Sequence, residues 1–278
     1  MTVAMWRMIG QALASAFEKL GKNALGLPTP SCFSPNMTFK IILKTSHKFG
    51  SRIQRCMDTW LQGLDVVCVT DKILPLDIPQ VSGSDKDTHG ISSEEKTVFM
   101  FNKLKQSQEA DWYMFIDDDA ILNVRRLRYA LPFLKQDTVY GLNMKGSCPK
   151  DTSLAFPSGG GGYLVPANVI DAFPPMENHH YFHEDVCVGR YLRDNNVPLS
   201  KEFTNSEGQT ERLLFGGWFP FDKLKPEAPK TQLEADAFYI EEAKKRGMED
   251  QLASYLTHHY IRSDLIMKYL HALFSTTP

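Results

Sequence analysis

Three consecutive carboxylates, Asp117, Asp118 and Asp119, end the apolar run Trp112-Tyr-Met-Phe-Ile116. Strand side chains alternate between faces, so Asp117 and Asp119 should share one side and Asp118 take the other. Adjacent charges cannot follow a buried strand inward unless a cation neutralises them. Hard oxygen ligands with room for water and phosphate suit Mg²⁺ or Mn²⁺. The plain alternative is an acidic loop after a strand. Glu184-Asp185 stands where a helix would begin. An acid there is favoured by the helix dipole, which is the structural reading; the chemical one is that one of the two takes a proton. Four glycines at 159–162 allow a ligand to approach the main chain closely. His258-His259-Tyr260 is the last polar cluster, read by itself as a packed histidine before a closing helix.

The elements that must position these groups can be read in order. A strand is expected over Phe39–Lys44, a loop from Thr45, a helix over residues 52–62 and a strand over Val66–Thr70 ending at Asp71. Residues 76–91 read as a polar surface excursion. A helix begins near Ser93, with Val98, Phe101 and Leu104 at helical spacing. The run from Trp112 is a central strand, with the acids at its carboxyl end, where ligands of open α/β sheets collect. Asn123 should cap a helix, followed by a strand over 138–142. Residues 201–229 are irregular and aromatic, 232–246 form a charged helix, and Ser263 caps the last one. Strand, loop, helix, strand, acid opens a nucleotide-binding α/β domain. No GxGxxG or P-loop pattern supplies a phosphate cradle. Residues 1–36 read as an amphipathic helix followed by a Gly/Pro/Ser linker, and 37–278 as the catalytic domain.

Composition narrows the classes. The 278 residues carry a net charge of −2 and no basic block, so no nucleic-acid footprint is visible. No apolar run is long enough to span a membrane. Five scattered cysteines contain no CxxC pair, which argues against a zinc ribbon. Cys56 and Cys68 are the best placed to form a disulfide; two buried thiols is the simpler reading.

Five motifs in this order resemble the β1,3-glycosyltransferase superfamily of Fringe and core 1 β1,3-galactosyltransferase. They are Lys44-Thr-Ser-His-Lys-Phe49 with Arg52 and Thr59-Trp60; Glu109-Ala-Asp-Trp-Tyr-Met-Phe-Ile-Asp-Asp-Asp119; the glycine turn from Ser158 to Tyr163; Glu184-Asp185-Val186; and His258-His259-Tyr260. The resemblance runs from Phe39 to Phe274. It implies an α/β fold of the GT-A type, a single domain with a twisted, mostly parallel sheet flanked by helices. It implies a UDP-sugar bound through Mn²⁺ or another divalent cation. Asp119 and His259 would be the direct metal ligands, with Asp117 as the other acid. Thr45, Arg52, Asp71, Lys96, Asp117, Asp118, Gly160 and Gly161 would form the donor-binding set, and Asp185 would be the catalytic base.

On this resemblance the reaction is transfer of a hexose or N-acetylhexosamine to a hydroxyl of a glycan or glycoprotein, inverting and β1,3-linked. The compartment implied is the Golgi or secretory lumen. The chain shows no signal anchor, which leaves a cytoplasmic location open. The competing readings are a silent transferase-like binding or chaperone protein and a Mg²⁺ phosphohydrolase. Retention of Asp117, Asp119, Asp185 and His259 speaks against the first. The second wants a later Lys and a Thr or Val after its acids, and no convincing set is present.

Overall fold

The computed structural model describes residues 37–86, 91–145, 153–172, 174–178, 183–218, 231–261 and 263–276. Residues 1–36, read above as helix and linker, lie outside the described residues. So do Tyr181, Phe182, residues 219–230 of the aromatic stretch, Cys32 and Cys148.

Alternation along β1 (Phe39–Lys44) sets the layers. Ile41 and Leu43 enter one apolar cluster and Ile42 the other. β1 is flanked in parallel by β2 (Val66–Thr70) and β4 (Trp112–Asp117), and its last rung pairs Lys44 with Asp117. Trp112, Met114 and Ile116 face the first cluster; Tyr113 and Phe115 face the second. A strand buried on both faces is a continuous apolar run, which is why β1 and β2 appear at the expected bounds and β4 runs one residue past the expected Ile116. Helix α1 (Gly50–Met57) places Ile53 and Cys56 on one face of the sheet. Helix α2 (Ile91–Gln106) places Met100, Phe101 and Leu104 on the other.

The main sheet has seven strands in the order β10-β6-β9-β4-β1-β2-β3, with β3 (Gln80–Ser82), β6 (Val139–Gly141), β9 (Tyr163–Pro166) and β10 (Leu199–Ser200). Only β9 runs antiparallel to its neighbours β4 and β6, so the sheet is mostly parallel, as expected. The polar excursion after Leu76 therefore contributes an edge strand. The helix expected over residues 52–62 ends at Met57. Its intended inner residues Trp60 and Leu61 are still buried, from turns that close at Gly63 with φ of 70°.

Among the described residues two antiparallel pairs stand apart from the main sheet, β7 (Asn143–Lys145) with β8 (Ala155–Pro157) and β11 (Glu202–Thr204) with β12 (Thr210–Arg212), and a second sheet of three short strands joins β5 (Ile121–Leu122), β13 (Gly217–Trp218) and β14 (Thr257–His259). Helix α3 (Val124–Ala130) starts from Asn123, whose side chain accepts from the Arg126 amide. α4 (Ala167–Ala172) follows β9. α5 (Glu184–Asp194) buries Val188 and Leu192 against α2 and the main sheet. α6 (Gln232–Lys245) opens with a Thr231–Glu234 capping box, α7 (Glu249–Ala253) follows it, and α8 (Asp264–Thr276) closes the chain with Ile266, Tyr269, Leu270 and Leu273 buried. Cys56, Cys68 and Cys187 are buried free thiols, so the Cys56–Cys68 bridge is not formed.

Candidate active site

β4 ends at Asp117; the Asp118 amide still donates to the Lys44 carbonyl at 3.2 Å, and the chain turns at Asp118 and Asp119. The second sheet returns the chain to this point. β14 pairs antiparallel with β5, and the Ile261 amide donates to the Asp119 carbonyl at 2.7 Å. Period-two alternation separates the two histidines. His258 is fully buried, its Nε2 2.9 Å from the Leu252 carbonyl. His259 points the other way, with Nε2 3.2 Å from Asp119 Oδ1. Asp117, Asp119 and His259 offer ligand atoms that all lie within 4.8 Å of one another. Two carboxylates and an imidazole suit a divalent transition metal such as Mn²⁺.

Asp118 is turned to different work. It accepts from the Thr45 hydroxyl at 2.5 Å, and Arg52 reaches both Asp118 and Asp119 at 3.2 and 3.3 Å. Burial raises its carboxyl to about 6, against the hydrogen bond from Thr45. Burial also raises Asp117, with the Lys44 ammonium opposing. Lys96 sends its ammonium to the Thr45 carbonyl at 2.5 Å, and burial lowers its pKa. Asp71 lies at the end of β2 and grips His47 through its amide and ring nitrogen, both at 2.7 Å. Those bonds outweigh burial and hold Asp71 well below the usual carboxylate range.

The glycine turn packs tightly on this cluster. A Cβ on Gly160 would lie 1.9 Å from Cε1 of His259, and one on Gly159 would lie 2.1 Å from Oε1 of Glu184. Gly160 is therefore the wall against which the imidazole rests. Gly161 meets Gly216 backbone to backbone, where a Cβ would stand 2.9 Å from Cα. The buried Thr257 hydroxyl donates to the Gly161 carbonyl at 2.5 Å and accepts from the Gly216 amide at 2.8 Å. Tyr260 follows with φ of 62° and its ring stacked on His259 at 3.7 Å. A non-glycine residue in that region stores strain. The turn it makes lets Ile261 reach Asp119.

At the start of α5 the two acids part company. Glu184 is buried and pairs with Lys44 at 2.5 Å and Ser93 at 2.9 Å. Burial alone would raise it; the Lys44 charge and these bonds hold it down to about 2. Asp185 is half-buried and accepts from the Gly159 amide at 3.4 Å and the Val186 amide at 2.8 Å. Burial, then the Glu184 charge, pushes its carboxyl up to about 6.

Every residue of the expected set thus lies along the carboxyl edge of β1, β2 and β4 or on the elements that fold over it. Lys44, Glu184, His47 and Thr257 were not in that set. Lys44 and Glu184 are quoted in the motifs, but their pairing requires the β1–β4 register and the seat of α5. No spacing in the sequence carries either.

A family model described as Fringe-like matches residues 38–199. The chain belongs to the Fringe-like family. The match ends before β14, so the fold, not the matched span, brings His259 to the aspartates. No curated protein matches the chain. Among solved structures, the glycosyltransferase GlyE of Streptococcus pneumoniae TIGR4 in its apo form is similar with a TM-score of 0.42 at 12% identity, over 85% of this chain and 60% of that one. A second GlyE structure gives 0.40 with the same identity and coverage. HddC from Yersinia pseudotuberculosis gives 0.29 at 11% identity, over 53% of this chain and 84% of that one. The chain spans about 60% of the length of GlyE. At these scores no residue role is carried over from any of the three.

Proposed function

We propose that this chain is an inverting, metal-dependent glycosyltransferase. It moves a hexose or N-acetylhexosamine from a UDP-sugar to an acceptor hydroxyl on a glycan or glycoprotein, forming a β1,3 linkage. Membership of the Fringe-like family supports the transferase class. The convergence of Asp117, Asp119 and His259 within 4.8 Å carries the metal part of the reading. Those three residues would hold Mn²⁺, which when bound offsets the charge of a departing diphosphate.

The chain's own residues supply the rest. Arg52 lies against Asp118 and Asp119 and adds a fixed positive charge beside the diphosphate. Thr45 and Lys96 hold the loop leaving β1, and Asp71 holds His47 in that loop, which together form the nucleotide side. Asp185 takes the proton from the acceptor hydroxyl as the new bond forms. A carboxyl near 6 is ionised at neutral pH yet basic enough to accept a proton. Gly159 donates to Asp185 and the next residue, Gly160, backs His259. One turn of backbone therefore serves both the base and the metal triad. A single displacement with one base inverts the anomeric centre.

The family's usual place of work supports a secretory-pathway lumen. Among the described residues no helix is long and apolar enough to cross a membrane.

The test is a panel of UDP-sugars assayed for UDP release and glycan product with Mn²⁺, and again after chelation. The expected result is transfer from one donor that stops on chelation. Binding of UDP with Mn²⁺ but no transfer from any donor would favour the silent binding protein. Transfer undiminished by chelation would refute the metal assignment.

A further inference from the structure

Lys44 ends β1 with its ammonium buried beneath the site. Its Nζ lies 2.5 Å from Glu184 Oε1, 3.1 Å from Asp117 Oδ1 and 3.4 Å from the Gly159 carbonyl. The ammonium donates to the start of α5 and to the glycine turn, and forms an ion pair with the end of β4. The proton transfer and the nucleotide contacts proposed above do not need a cation there. A buried charge persists when paired, yet two carboxylates share this one, which leaves the pocket with excess negative charge.

We propose that Lys44 is a positioning residue that divides its charge between Asp117 and Glu184, tempering the metal affinity of the Asp117–Asp119–His259 triad while fixing the start of α5 so that Asp185 stays on the Gly159 amide. This rests on the glycosyltransferase reading. The argument is Coulombic. An ammonium 3.1 Å from Asp117 competes with a dication for that carboxylate. Its other contact, with Glu184, ties the first residue of α5 to the end of β1. Asp185 is the next residue, so the base inherits its place from that ion pair.

The two halves of the pair then have opposite effects on metal binding. Removing Lys44 frees Asp117 to bind the metal. Removing the Glu184 charge gives Lys44 wholly to Asp117 and weakens the metal. Both changes loosen α5 and slow transfer. A purely structural role would weaken metal binding in both variants.

The experiment compares wild type, Lys44→Met and Glu184→Gln. It measures Mn²⁺ binding by electron paramagnetic resonance with UDP present, transfer rate at saturating Mn²⁺, and thermal melting. For Lys44→Met the Mn²⁺ Kd should fall roughly threefold or more while transfer falls at least about tenfold. For Glu184→Gln the Kd should rise roughly threefold, with a similar loss of transfer. Shifts of Kd in the same direction, or wild-type transfer in either variant, would overturn the proposal. If Lys44→Met shows no cooperative melt, Lys44→Gln takes its place: a lowered Kd there beside a raised Kd in Glu184→Gln supports the proposal, and a raised Kd in both overturns it. A wild-type protein that binds no Mn²⁺ and transfers no sugar would sink the transferase reading and this inference with it. A wild type that does both, with variants lacking the opposite signs, would sink the inference alone.

Discussion

Asp185 and Gly160 carry the sharpest residue-scale expectations. Asp185→Asn keeps the shape and the hydrogen bonds from Gly159 and Val186 within reach but cannot accept a proton. Transfer should fall by about 10²–10⁴-fold, the usual share of general-base catalysis, with UDP–Mn²⁺ binding unchanged in a titration. In the wild type, activity should fall on the acid side with an apparent pKa near 6, because only the ionised carboxylate is a base. A variant with normal turnover would remove Asp185 from its role. Gly160→Ala tests a different contact. The added Cβ would meet the imidazole at 1.9 Å, so His259 must leave the triad. Disturbing the support of a metal ligand costs roughly 10–100-fold in affinity, and Mn²⁺ titration should read a loss of that order. Affinity equal to wild type would show that the imidazole can yield without cost. At this scale the aspartate triplet and Glu184-Asp185 were legible, because adjacent acids after an apolar run are a local pattern. Only the family resemblance pointed to Asp185, and the division of labour within Glu184-Asp185 has no local pattern. It depends on Lys44, whose partners lie 73 and 140 positions along the chain.

Among the elements, β1 and β2 were readable to the residue and β4 to within one, since doubly buried strands leave unbroken apolar runs. The helix after β1 was overrun because Trp60 and Leu61 continue its apolar spacing while the backbone has already turned. The second sheet was invisible. Strands of two or three residues carry no period, and their partners are set by closure of the whole chain. Yet that sheet decides where His259 stands, and Thr257 fastens it. Its hydroxyl bridges the Gly161 carbonyl and the Gly216 amide in a fully buried place. Thr257→Val keeps the volume and leaves both groups unsatisfied. Stability should drop by about 1–3 kcal/mol in a denaturant melt, the cost of stranded buried polar groups. Thr257→Ser should recover most of the loss, because the hydroxyl returns. An unchanged midpoint in the valine variant would mean that the glycine turn and β14 are held by packing instead.

Across the whole molecule, folding gathers Asp117, Asp118, Asp119, Glu184 and Asp185 at one edge against few cations, and the chain's stability should register this through pH. Asp185 sits in the folded state near 6, above its ordinary value, so the folded form takes up a proton before the unfolded one does. Its contribution makes the metal-free protein more stable as pH falls from 7 towards 5. Glu184 works in the other direction. Lys44 holds it near 2, below its ordinary value, so its contribution is complete above about pH 4.5 and drains away as pH falls towards 2. Melting of the metal-free protein should therefore rise on mild acidification and drop sharply in stronger acid. Asp185→Asn should reduce the rise by its own share, leaving the part owed to Asp118, which burial also raises to about 6, and should leave the acid limb in place. A rise of wild-type size in Asp185→Asn would assign it wholly to the other carboxyls of the cluster. With the Mn²⁺–UDP complex, as one ligand, at a hundred times its Kd, mass action should add about 2.7 kcal/mol at pH 7. That gain should shrink on acidification, because protons and the metal compete for the same carboxylates, so the liganded and metal-free curves should approach each other as pH falls.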